Sequence, residues 1–160
     1  MLVDIKVTGD KTVVARIDAM SLRARDLRGA WRLVWDFLRE ETEEQFDTAG
    51  SHQPGGWPPV SEDWFWFKVR NGFDLRTMHM TLRLRKSLTL RGYKGQIFRS
   101  FPDRMQFGTE AKNEKGVVYA MFHQNPSPGS RLPRRAPLYI NQTARTKIAG
   151  IIEGYVKGSV

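Results

Sequence analysis

The chain has no cysteine, which removes a disulfide framework, a thiolate zinc site and a cysteine nucleophile together. Histidine is scarce. His52, His79 and His123 stand 27 and 44 residues apart with no histidine neighbour, which is no metal-ligand spacing. No apolar run approaches the ~18 residues that span a bilayer. The opening residues, MLVDIKVTGDK, lack the charged-then-apolar order of a secretory leader. The expectation is a soluble intracellular product, or one that leaves the cell inside a particle. No glycine-rich loop runs into Lys-Ser or Lys-Thr, so phosphate-loop chemistry has no signature. Repeats, linkers and low-complexity tracts are lacking too. The 160 residues, 40% hydrophobic and 27% charged, predict one globular domain over 1–160, able to bury a core without a metal or disulfide staple.

Positive charge is abundant and unevenly placed. The net charge is +9, yet residues 1–63 carry 8 Lys/Arg against 12 Asp/Glu while residues 64–160 carry 18 against 5. An acidic front and a basic back point to polyanion contact or to electrostatic pairing between copies, with a solvated basic face as the plain alternative.

Hydrophobic spacing predicts the elements. Residues 2–8 and 12–17 are β-rich runs separated by Gly9-Asp10 and read as a hairpin. Ser21 sits where an N-cap belongs, ahead of a long helix whose stripe is Leu27, Trp31, Val34 and Leu38, widened by Trp35 and Phe37. Glu40, Glu41, Glu43 and Glu44 near its end read as a solvated face more readily than as a hard-cation site. Residues 46–63, FDTAGSHQPGGWPPVSED, cannot continue a helix or a central strand, so they form an ordered loop or an arm, with Trp57 pinned in an apolar slot. Ser61 caps a short helix over 63–70, with a strand through Trp64-Phe65-Trp66-Phe67 as the alternative. Residues 95–101 and 104–108 are β-like runs around a Pro102-Asp103 turn. Residues 117–123 read as a helical turn and 136–140 as a strand. Asn141 caps a closing helix with the stripe Ala144, Ile148, Ile151 and Tyr155, whose Gly150 and Gly154 suggest close packing on a neighbour. The sum is an α+β fold: a long N-terminal helix and a C-terminal helix packed on a small, mainly antiparallel sheet, with a Gly/Pro-rich arm or loop.

No nucleophile, base and orienting group assemble in the sequence, so enzymatic activity is not expected. His123 is the one isolated catalytic candidate, for a small hydrolase, and a histidine hydrogen-bonded within the fold is the stronger reading. Residues 68–104 hold 10 Lys/Arg and only Asp74 and Asp103, interleaved with Phe, Met and Tyr. Such a stretch suits sequence-independent phosphate contact, and no sequence-reading motif accompanies it.

Four segments together resemble the bacteriophage virion morphogenesis, or tail completion, family of Mu-like and P2-like tailed phages and prophages. They are Phe46-Asp47-Thr48-Ala49-Gly50 with Gly56-Trp57-Pro58-Pro59-Val60-Ser61; Thr81-Leu82-Arg83-Leu84-Arg85-Lys86-Ser87-Leu88-Thr89; Phe107-Gly108-Thr109 with Tyr119-Ala120-Met121-Phe122-His123-Gln124; and Leu132-Pro133-Arg134-Arg135-Ala136-Pro137-Leu138. Leu82 stands where the family usually has Gly, and Pro137 where it usually has Phe. A Pro/Ser segment replaces the family's Gly-rich tail after His-Gln.

The resemblance implies a non-catalytic structural protein, without cofactor or metal, that completes the tail or joins it to the head. It implies a homo-oligomeric ring of about six copies that meets tail-tube or terminator and head-connector proteins. Its place is then the virion neck, and the host cytoplasm during assembly, with no membrane partner. Interface residues are expected at Trp57, Trp64, Trp66, Arg131, Arg134 and Arg135. Arg83, Arg85, Lys86, Arg91 and Lys94 are candidates to face DNA passing through the ring. Gly56, Ser87, Tyr119, His123 and Pro133 are expected to hold the fold, a role Arg135 also suits. The alternative function is a nonspecific nucleic-acid-binding protein using the basic back half.

Overall fold

The computed structural model describes residues 11–160. Among them lie six helices and one two-stranded antiparallel sheet, an α+β arrangement with long helices toward both ends. The hairpin expected at the start is not formed as read. Residues 2–8 lie outside the described residues, and residues 12–17 belong to helix α1, Lys11–Arg25. β-branched residues are only weakly averse to helix, and the run continues into Ala19, Met20, Leu22 and Ala24, which favour it. Ser21 therefore lies inside α1 rather than capping the next helix.

The break falls at Asp26-Leu27. The Asp26 carboxylate accepts the Arg28 backbone N–H at 3.1 Å and the Arg28 guanidinium at 2.5–3.0 Å, closing a local turn from which α2, Arg28–Asp47, starts afresh. Those bonds hold the Asp26 carboxyl down to about 2. The expected stripe then goes inward: Trp31, Val34 and Leu38 are buried, joined by Trp35 and Phe46. The Trp31 indole donates to Phe101 O at 2.8 Å, and Leu27 N donates to Pro102 O at 2.9 Å. The Pro-Asp turn of the sheet is thereby tied to the start of α2.

That sheet pairs β1, Gln96–Ser100, with β2, Met105–Thr109, around the turn expected at Pro102-Asp103. The last helix, α6, Gln142–Lys157, begins at Asn141, whose side chain accepts Ala144 N at 2.8 Å as the sequence predicts. Its Ile148, Ile151 and Ile152 pack on Trp31, Val34 and Leu38. The close approach comes from Gly29 rather than from Gly150, which faces open space: a Cβ on Gly29 would stand 2.5 Å from the Tyr155 ring.

Three short helices complete the chain. α3, Glu62–Arg70, is capped by Ser61, whose Oγ accepts from Trp64 N at 3.4 Å, so the strand alternative fails. α4, Arg83–Thr89, packs on both strands, with Ser87 Oγ 2.7 Å from Thr109 Oγ1. α5, Ala120–Gln124, is the helical turn expected from the apolar run.

Residues 136–140 form no strand. Side-chain amides supply what a neighbouring strand would have supplied. Gln53 Oε1 accepts Ala136 N at 3.1 Å, and Gln124 both accepts from Leu138 N at 3.2 Å and donates to Leu138 O at 2.8 Å. Pro137 has no N–H to offer a ladder.

The Gly/Pro segment is a pinned loop, not an arm. Trp57 is 6% exposed; it meets Phe46 edge-on at 5.2 Å and donates its indole N–H to Ala136 O at 3.1 Å. Gly50, at φ +88, leaves room for that ring, since a Cβ there would sit 2.3 Å from it. Trp57→Ala should cost about 3–5 kcal/mol, as large-to-small aromatic changes in cores do. Trp57→Phe should cost about 0.5–1.5 kcal/mol for the lost hydrogen bond, since the Gln45 amide still serves the Ala136 carbonyl. Urea unfolding of both variants checks the order, and an unchanged midpoint for Trp57→Ala would contradict the pinning.

Candidate functional site

One core cluster gathers the separate segments. Phe46, Trp57, Leu84, Leu88 and Ala120 are buried together, with Met78, Phe107, Tyr119 and Leu138 packed against them. Each of the four segments singled out in the sequence contributes to it. Over this cluster runs a groove of about 1010 Å³ between α3, the start of α4, the 112–119 turn and the 131–135 segment.

Two cations lie in its floor. Lys68, in α3 and 1% exposed, donates from Nζ to Arg76 O at 2.7 Å. Arg135, 7% exposed, donates from Nε to Pro58 O at 2.7 Å and from its terminal nitrogen to Pro59 O at 2.6 Å. Carbonyls carry no net charge, and burial pushes both the ammonium and the guanidinium below their ordinary values, the Asp74 carboxylate opposing this at Lys68. His123 lines the same groove, its Nδ1 buried with no hydrogen-bond partner. The internal hydrogen bond expected of that ring is thus missing at Nδ1, although the His123 carbonyl does accept Arg135 N at 3.0 Å. His79, also on the wall, is fully satisfied: Nδ1 donates to Thr77 O at 2.9 Å, leaving Nε2 to accept from Arg85 at 3.2 Å.

The rim is basic as well. Arg83, Lys112, Lys115 and Arg131 line the groove and are exposed, and Glu114 is its one carboxylate. None of the six lining Lys and Arg side chains forms an ion pair among the described residues. Elsewhere Arg28, Arg39, Arg76, Arg85, Arg91, Arg104 and Lys157 are all paired. Lys68, Lys112 and Lys115 were not singled out in the sequence. Lys68 carried a readable signal, a single cation between the run Trp64-Phe65-Trp66-Phe67 and Val69.

The expected site residues divide. Trp64 and Trp66 are 44% and 50% exposed on α3, and Arg131 and Arg134 are exposed, whereas Trp57 and Arg135 are buried and spent on internal bonds. Among the candidate DNA-facing residues, Arg85 is half-buried and paired with Asp47 at 2.7 Å and Glu43 at 3.4 Å, and Arg91 pairs with Asp36 and lies 4.3 Å over Trp35. Arg83, Lys86 and Lys94 are exposed with no carboxylate partner among the described residues. Gly56 takes φ +67 at the turn before Trp57; Ser87 is fully buried; Tyr119 and Pro133 are half-buried beside the groove.

No protein-family model, curated protein or solved structure matches this chain. No described helix is long and apolar enough to cross a membrane. In the acidic run, Glu41 and Glu44 flank His52 at 3.4 Å each, and Glu43 pairs with Arg39 and Arg85. Much of that face is thus engaged by the chain's own bases.

Burial holds the His79 imidazole below its usual range; the Thr77 carbonyl and Asp74 oppose this, and Arg76 and Arg85 add to it. Burial, helped by Arg135, does the same at His123. Both groups take up protons first in the unfolded chain, so stability present above about 6.5, the ordinary histidine value, falls as pH drops through the depressed values. Denaturant midpoints between neutral and mildly acidic pH should show this decline, and His79→Gln with His123→Gln should flatten it.

Proposed function

We propose that this chain is a non-catalytic structural subunit of a tailed-phage particle that completes the tail or joins it to the head as a homo-oligomeric ring. On this reading it resides in the virion neck and passes through the host cytoplasm during assembly. The observation that carries the reading is the set of exposed aromatic side chains on α3. In that nine-residue helix only Lys68 is buried, while Trp64, Phe65, Trp66 and Val69 are exposed. Clustered exposed aromatics of this size mark protein contacts, and Trp is the residue type most enriched at their energetic centres.

Two further features support the reading. Helix α1 buries none of its residues and leaves Val13, Val14, Ile17 and Leu22 exposed, while Arg23 ties it to α6 by donating to Val156 O at 2.9 Å. Leu82, which replaces the Gly usual in the resembled family, adopts φ +57, a left-handed conformation that glycine enters without strain. The loop once expected to act as an arm is part of the core, so α1 and α3 take over its role in this proposal.

The nucleic-acid reading keeps support from Arg83, Lys86 and Lys94, exposed and unpaired around α4. Duplex binding by a monomer with a steep salt dependence would favour it.

Trp64→Ser combined with Trp66→Ser should leave the fold and its unfolding midpoint nearly unchanged while abolishing self-association, read by light scattering. A parent protein that stays a single chain at high concentration, or a double variant that assembles as the parent does, would count against the ring.

A further inference from the structure

The groove between α3 and the 131–135 segment has a charge pattern that differs from the rest of the surface. Its cations sit at two depths. Lys68 and Arg135 form a floor closed to bulk water, and Arg83, Lys112, Lys115 and Arg131 form an open rim. A buried cation with only carbonyl partners is costly to the folded chain, because the carbonyl dipole replaces only part of the lost hydration. Lys68 and Arg135 lie too deep to be touched, so they add positive potential while the four rim cations stay open to an occupant. Among the described residues no carboxylate pairs with those rim cations, although carboxylates pair readily with arginines elsewhere.

The shape narrows the occupant. Trp64, Met80 and Leu132, all exposed, line the groove together with the rim cations, so an entering group needs apolar stems as well as negative ends. Duplex DNA presents its phosphates on a stiff, wide surface that reaches the rim cations but offers no apolar stems to cover the exposed Trp64, Met80 and Leu132. At about 1010 Å³ the space also lies at the upper limit of small-ligand pockets, which run to about 1,000 Å³.

We propose that this groove is the docking site for an acidic peptide segment of a partner protein, one in which Glu or Asp alternates with apolar side chains. Its carboxylates meet the exposed Arg83, Lys112, Lys115 and Arg131 on the rim, and its apolar side chains meet the exposed Trp64, Met80 and Leu132 that line the same groove. The assignment stands independently of the phage reading, since it rests on exposed rim cations that form no ion pair among the described residues.

The test uses the full chain and a short fluorescein-labelled peptide alternating Glu and Leu, followed by anisotropy. Its Gln/Leu counterpart and single-stranded oligothymidylate of similar length serve as competitors. The Glu/Leu peptide should bind at least ~10-fold more tightly than either, and the difference should shrink as salt rises. Arg83→Glu with Lys115→Glu, both on the exposed rim, should weaken binding by ~10-fold or more without moving the unfolding midpoint. Equal affinity for the Gln/Leu peptide, tighter binding of oligothymidylate, or full affinity in the rim variant would overturn the proposal.

Discussion

The carbonyl oxygen of Ala136 is the point on which the architecture turns. It accepts from the Gln45 amide of α2 and from the Trp57 indole of the Gly/Pro loop, each at 3.1 Å, and the residue itself is fully buried. Both of its acceptor positions are thus filled by side chains from sequence-distant segments. With the Gln53 bond to Ala136 N, the long helix, the loop and the arginine-rich segment are joined at one residue. Because Ala136 is held there, Arg135 beside it is drawn under Pro58 and Pro59 and becomes groove floor, not surface.

This junction explains why the sheet stays small. Residues 131–140 run beside α5 with their polar backbone groups largely answered by Gln45, Gln53, Trp57 and Gln124. A glutamine amide carries a donor and an acceptor, so it can replace both halves of a ladder step. The regular sheet ends with β1 and β2, and it is closed by α4 on one side and by the start of α2 through Trp31 and Leu27.

Charge follows a similar division of labour. Arg85 is tied to Asp47 and Glu43, Arg76 to Asp74, and Arg28 to Asp26, each stabilising a turn or a helix contact inside the molecule. The basic surplus of the back half is left over at the groove and on the outer side of α4. Together with the exposed aromatics of α3 and the exposed aliphatics of α1, it makes a surface whose apolar and cationic parts are left open among the described residues. That combination is why assembly, not turnover, is the proposal advanced for the protein.

Local signals in the sequence were enough for the α2 and α6 stripes, the Ser61 and Asn141 caps, and the Pro102-Asp103 turn. Each depends on spacing or on a side chain bonding its own backbone a few residues away. The helix over 12–17 and the missing strand over 136–140 were not legible, because the first turns on a longer local context and the second on amides supplied from up to 91 residues away. The inward or outward fate of individual residues was decided only in three dimensions. Trp57 and Trp64 stand seven residues apart and both read as interface candidates, yet one ring fills a slot made by Phe46 and Gly50 while the other is 44% exposed. Lys68 and Arg135 count as ordinary positive charges along the chain. Only the tertiary fold removes them from water and places them, on carbonyl partners, in the same groove.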